Sequence, residues 1–266
     1  WEQARADAQT YLDSAAARLA ACGVAATTRV LEGDPASALL SYARANKDIA
    51  MIAMATHGRS GVRHLLFGSV AEKILHAAPV PLLLARAQQE TVLTGIGPYR
   101  SLLVPLDGSL HAEQALPLAH RLARRTAADL ILMHAVPTPD DLTLAQHGYS
   151  AGWDDRHLAK LRSRAEAYLQ TKAARHAAGG APVRTLVRTG HAGEQIVAAA
   201  REASADLVVM ATHGLTGLRR LWLGSMATYV VRHSLQPVLL VRSEPDADEA
   251  EQADRAGALA GSGAAR

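Results

Sequence analysis

Aromatic side chains are scarce in this chain: 4% of residues, with Phe67 the only phenylalanine. The core must therefore be filled by Ala, Val, Leu and Ile. A module that stacks nucleic-acid bases on rings is not expected, and no nucleic-acid partner is assigned. Cysteine is scarcer still. Cys22 stands alone, which excludes an intramolecular disulfide and fits a reducing compartment, so a cytoplasmic location is expected. No apolar run approaches the roughly 18 residues that a membrane helix needs, and no membrane partner is expected. The chain opens on Trp rather than Met, which is not expected of a natural translation start.

What is present is a globular composition: 49% hydrophobic and 20% charged over 266 residues. At about 150 residues per domain that is a little under two domains, and neither a disordered nor a collagen-like chain. The net charge of +3 is unevenly spread. Residues 243–266 hold six acids and two bases, which leaves a body of 26 bases and 19 acids, or +7. Such a body suits anionic ligands, though solubility alone accounts for it equally.

The chain repeats itself. Met54-Ala-Thr-His-Gly-Arg-Ser-Gly61 returns as Met210-Ala-Thr-His-Gly-Leu-Thr-Gly217, Leu65-Leu-Phe-Gly-Ser69 as Leu221-Trp-Leu-Gly-Ser225, and Pro81–Arg86 as Pro237–Arg242. All three share an offset of 156, and upstream Tyr11-Leu12 and Gly33 return 157 positions later. A period this long means two copies of a domain. The copies are unequal: Gly190 lies 89 positions after Ser101, but Gly33 only 32 after Trp1, so the first copy lacks about 57 residues.

The second copy alternates strands and helices. Strands are predicted at Ser101–Pro105, Asp129–Val136, Val183–Arg188, Leu207–Ala211 and Pro237–Val241. Helices are predicted at His111–Thr126, Trp153–Ala178, Ala192–Ala203 and Ser225–His233. That alternation predicts an α/β fold with a parallel sheet covered on both faces. The first copy keeps a long helix, strand Thr27–Leu31, helix Pro35–Ala45, strand Asp48–Ala53, helix Ser69–Ala77 and strand Pro81–Ala85. It lacks the first β-α-β. The expected domains are 1–87 (partial), a linker at 88–99, 100–242 (complete) and a disordered acidic Ala/Gly tail at 243–266.

One segment of each copy can carry chemistry. A strand ends in Ala211-Thr-His-Gly214, and after nine residues Gly224-Ser225 opens a helix. A glycine loop beyond a parallel strand brings backbone N–H groups to an anion, and a helix start adds free donors and a positive dipole end. This outlines a phosphate cradle. It is neither a P-loop nor a Gly-x-Gly-x-x-Gly turn. The plainer reading, glycines shaping a turn and Ser225 capping a helix, stays open. So does the choice at Asp107 in Pro105-Leu-Asp-Gly-Ser109, between an acceptor for a ligand's amine and an Asx turn, the latter favoured for the segment taken alone.

Pro105-Leu-Asp-Gly-Ser109, His134-Ala-Val136, Ala211-Thr-His-Gly214, Gly224-Ser225 and Pro237-Val-Leu-Leu-Val241 together resemble the universal stress protein family. The resemblance implies Rossmann-like, doubly wound, five-stranded parallel sheets in the order 3-2-1-4-5, the first without its first β-α-β. It also implies pairing through the last strand, here within a homo-oligomer or between the chain's own two domains. It implies a stress-response regulator that binds ATP or AMP, with Mg2+ as an optional companion, and that turns over little or nothing. Asp107 would hold the adenine end beside Pro105 and Leu106. Ala135 would line the base pocket and Met210 the ribose region, and Ala211, His213, Gly214, Ser225, Gly224 and Met226 would face the phosphates. In the first copy His57, Gly58, Gly68 and Ser69 match the phosphate half only.

Ala211 and Ala55 stand where the ATP-binding pattern has its first glycine, so binding is expected to be weakened rather than abolished. Two other readings stand beside this one: a nucleotide-independent dimerisation module and a weak ATPase. No catalytic residue and no metal ligand is named. Arg63, Arg219 and Arg220 are read as solvated loop cations. Trp153 and Trp222 are read as packing residues, and Cys22 as a buried or idle thiol.

Overall fold

The computed structural model describes residues 2–55, 69–85, 99–138, 155–177, 180–212 and 223–242. In chain order the elements are α1 (Glu2–Ala21), α2 (Pro35–Ala45), β1 (Ile52–Ala55), α3 (Ser69–Ala77), β2 (Leu82–Ala85), β3 (Ser101–Pro105), α4 (Leu110–Glu113), α5 (Leu116–Thr126), β4 (Asp129–Val136), α6 (Asp155–Ala177), β5 (Val183–Thr189), α7 (Ala192–Glu202), β6 (Leu207–Ala211), α8 (Ser225–His233) and β7 (Val238–Val241). Local chemistry sets several boundaries. Asp34 caps α2, its Oδ2 accepting from the Ser37 N–H at 3.1 Å, and Pro35 follows where a missing N–H costs nothing. The stretch predicted as one helix over 111–126 is two, α4 and α5. Pro117 cannot donate, and its ring crowds the carbonyl four residues back, at Glu113, so the chain breaks there. Of the expected linker 88–99, residues 88–98 lie outside the described residues, as does the acidic tail 243–266.

The strands of the described residues join one sheet, in the order β1-β2-β7-β6-β3-β4-β5. The second half contributes five parallel strands, which in its own numbering run 3-2-1-4-5. Among the described residues, the first half contributes the counterparts of strands four and five. Its β2 pairs antiparallel with β7, Leu82 opposite Leu240 and Leu84 opposite Val238. The two expected sheets thus meet closing strand to closing strand within one chain. Helices cover both faces. Leu103, Ile131, Met133, Val208 and Met210 pack under α2, α3, α7 and α8. Leu102, Val104, Leu130, Leu132 and Val209 pack under α4, α5 and α6. Every residue of β3 and of β6 is buried, as expected of strands covered on two sides.

Two expectations for the first half are corrected. Residues 27–31 are not a strand, so among its described residues the half keeps two strands rather than three. Their counterpart β5 exists because it pairs with β4 along its whole length. Among the described residues the first half has no strand matching β4, and extended backbone without a ladder partner stays irregular. For the same reason α1 buries no residue, although its counterpart α6 buries Ala165 and Leu169. The difference reaches matched positions: Leu39 on α2 is 41% exposed, whereas Ile196, 157 residues on, is 5% exposed. Cys22 is exposed, which removes the buried-thiol reading.

Candidate functional site

The sheet reverses its winding between β3 and β6. From β3 the chain passes through α4 and α5 on one face to β4. From β5 it passes through α7 on the other face to β6. A crevice opens beyond the carboxyl ends of two such strands, and ligands of α/β folds sit there. The register Leu103↔Val208, carried two residues on, sets Pro105 level with Met210.

On the β3 side, Pro105 and Leu106 are buried and Asp107 is half-buried. Gly108, at φ +90°, takes the left-handed turn that glycine tolerates best. It brings the Ser109 N–H (3.0 Å) and hydroxyl (2.6 Å) onto Asp107 Oδ1. The Ser109 oxygen in turn accepts from Ala112 N–H at 3.1 Å and caps α4. The Asx turn weighed from the sequence is therefore present. It fixes the carboxylate at the mouth of the crevice.

On the β6 side, Met210, Ala211 and Thr212 are buried. Thr212 donates its N–H to the Val241 carbonyl at 2.9 Å and accepts from Gly224 N–H at 2.8 Å. The second bond ties the end of β6 to the start of α8. Gly224 is the cap of α8 and supplies no side-chain bond, while Thr228 N–H makes the first bond into the helix, to the Gly224 carbonyl. The N–H groups of Ser225, Met226 and Ala227 then have no partner inside the helix, as at any helix start. Ser225 is exposed and Met226 half-buried. Ala135 is half-buried on β4, on the face shared with α8. His213, Gly214, Arg219, Arg220 and Trp222 lie outside the described residues. So do His57, Gly58, Arg63, Gly68 and Trp153. Ser69 opens α3, exposed, at the far side of the sheet.

Behind Asp107 lies a polar cluster that the sequence reading did not assemble. Glu113 of α4 accepts from the Tyr168 hydroxyl at 2.9 Å and pairs with Lys172, both on α6. His134 of β4 stands edge-on to Tyr168, ring centroids 6.2 Å apart. Burial pushes the His134 imidazole below its ordinary value. The Asp107 carboxylate and a hydrogen bond to the Leu106 backbone oppose this. Burial, then the bond to Glu113 and its charge, then the Asp107 charge push the Tyr168 phenol far up. Further along, His176 is held below its ordinary value first by burial, then by His120, Lys172 and Arg175. One signal for Tyr168 was in view, its recurrence from Tyr11. Glu113 and Lys172 carried none, because their meeting depends on α4 packing against α6. Among the described residues, no group of three or more His, Cys, Asp or Glu is placed to hold a metal ion, and no helix is long and apolar enough to cross a membrane.

A family model described as "Universal stress protein family" matches residues 1–86 and 98–242. A universal stress protein of Thermus aquaticus is 35% identical over 145 residues, covering 54% of this chain and 99% of that protein. One from Mycobacterium bovis is 26% identical over 200 residues, covering 74% of this chain but 63% of its own length. Among solved structures, a universal stress protein from Archaeoglobus fulgidus superimposes with a TM-score of 0.64. It covers 92% of this chain and 79% of its own at 23% identity, a likeness of fold.

Proposed function

The chain belongs to the universal stress protein family, and from that premise we propose that it is a stress-response regulator whose second half binds an adenine nucleotide with little or no turnover. One observation carries the reading. An oriented carboxylate at the end of β3 and a helix start without a side-chain cap, at Gly224-Ser225, flank the same strand-end crevice. Asp107 accepts from the amino group of the base, and Ala135 and Met210 line the base and ribose. The first-turn N–H groups of α8 and the Ser225 hydroxyl receive the phosphates, with His213 and Gly214, which follow β6 in the sequence. A helix start favours an anion by about 0.3–1 kcal/mol at an exposed site, and more when water is excluded. The chain's residues bind and orient in this reading, and ligand binding biases the pairing of the two halves. ATP is the proposed ligand. Mg2+ would accompany its phosphates rather than occupy a site made by the protein.

Calorimetric titration of the whole chain with ATP tests this, beside Asp107→Ala and Ser225→Glu. The second variant places a negative charge where the phosphates would lie, yet an acid in a first turn favours the helix. The expected result is heat of binding for the parent and at least about tenfold weaker binding for both variants, with Ser225→Glu as stable as the parent. Unchanged binding in both would sink the site. An absence of binding by the parent would favour the nucleotide-independent reading, in which Asp107 serves only its turn.

A further inference from the structure

We propose that the exposed sides of α5 and α6 form a polybasic dock, and that its occupant is the chain's own acidic tail, residues 243–266. The dock lies on the face of the sheet opposite α8 and is independent of the nucleotide reading.

Positive charge is concentrated on these two helices. α5 carries Arg121, Arg124 and Arg125 and no acid, while α6 carries six bases and two acids. Their joint net charge of +7 equals the whole excess of residues 1–242. The duplication supplies a contrast, since α1, the counterpart of α6, holds three acids and two bases. At about 100° per residue, Arg156, Lys160, Arg164 and Arg175 fall within an arc of about 100° on α6. That arc adjoins Tyr168 and Lys172, the residues that reach Glu113 of α4. Asp155, Arg162 and Glu166 fall on the other flank, where Arg162 donates to Thr189 at the end of β5 at 3.1 Å. The acids of α6 are thus turned away from α5. The two helices meet at His120 and His176, ring centroids 5.2 Å apart. The three arginines of α5 lie on its outer side, away from buried Ala119 and Ala123. All seven of these cations are exposed, and among the described residues none of them forms an ion pair.

One segment of the chain matches this surface in charge and in reach. Glu244, Asp246, Asp248, Glu249, Glu251 and Asp254 all lie within twelve residues of Arg242, just past the end of β7. Twelve residues extend to about 40 Å. β7 and β4 are three strand spacings apart in the sheet, or about 15 Å. α6 ends at Ala177, shortly before β5 begins, so its opening turns project toward the carboxyl ends of the parallel strands, where β7 also stops. Single exposed ion pairs contribute little in water. Six acids facing seven cations act together, however, and a tether holds the tail at a millimolar effective concentration. The contact is therefore weak by itself, intramolecular and sensitive to salt.

The test attaches a nitroxide at Ala253→Cys in the whole chain, with the exposed Cys22 replaced by Ser, and reads paramagnetic broadening of backbone amides by NMR. At about 0.1 M salt, broadening on α5 and α6 should exceed that on α7, on the opposite face, at least about threefold. It should vanish at about 1 M, where the Debye length has fallen from about 10 Å to about 3 Å. Replacing the six tail acids by their amides leaves residues 1–242 unchanged and should abolish the broadening at low salt as well. Broadening spread evenly over the surface, or indifferent to salt and to the amides, overturns the proposal. So does broadening centred on the start of α8, which would place the tail in the strand-end crevice. Equal broadening of chains without a nitroxide, mixed with chains that carry one, would make the contact one between copies and overturns it too.

Discussion

Leu39 and Ile196 occupy matched positions of α2 and α7, and only Ile196 is covered. Truncating each to Ala turns the duplication into an internal control. Ile196 is 5% exposed and packs with Ile131 and Met133. Its truncation removes three carbons from a closed core, at about 2–5 kcal/mol for transfer and cavity together, and we take about 3. Leu39 is 41% exposed, so roughly 60% of the transfer is at stake, and water fills the space left behind. That amounts to about 1 kcal/mol, of which about 0.2 returns because Ala is the better helix former. The two variants should therefore differ by about 2 kcal/mol. Since β2 and β7 belong to one sheet, urea unfolding followed by circular dichroism on the whole chain reads both substitutions on one transition. For a chain of this size the gap corresponds to about 4–8 °C in Tm. Equal losses, within about 0.5 kcal/mol, would refute the reasoning and show that Leu39 is covered in solution.

Other perturbations test the rest of the molecule. Glu113→Ala strips the partner from a Lys172 ammonium whose side chain is 15% exposed and from the Tyr168 hydroxyl. A loss of about 3 kcal/mol in urea is expected, and a loss under 1 would deny the cluster any structural part. A Cβ at Gly193 would meet Tyr229 Cδ1 at 2.6 Å and Cγ at 2.8 Å, so Gly193→Ala should cost about 1–3 kcal/mol, and Tyr229→Leu in the same chain should recover part of it. His134 and His176 are both held below their ordinary value in the fold. The unfolded chain then binds more protons, so their contribution is present above about pH 6.5, the unfolded value, and is lost as pH falls through the folded values. The urea midpoint should drop from pH 7.5 to pH 5.5, and by less in His134→Gln. A midpoint that falls equally in parent and variant would assign the effect elsewhere.

Much of this fold was legible in the residue pattern. Ser101–Pro105, Leu207–Ala211, Pro35–Ala45 and Ser225–His233 form where predicted, because apolar periodicity and caps act over a few residues. The order 3-2-1-4-5 of the second half follows the family resemblance. For the site, Asp107 and Gly224-Ser225 were legible because each belongs to a local turn or helix start. The meeting of Glu113, Tyr168 and Lys172 was not, since 55 residues separate Glu113 from Tyr168 and no short-range rule links them.

The sequence by itself determined that there are two copies of one domain, that one of them lacks a β-α-β, and which strand end and helix start are the candidates for binding an anion. Only the tertiary structure decided that residues 27–31 are no strand, that the halves share a single sheet through antiparallel β2 and β7, and that a half-buried polar cluster backs Asp107. The physical reason is the same in each case. A strand is defined by its partner and a buried charge by its counterion, and both partners are supplied by packing between segments far apart in the chain.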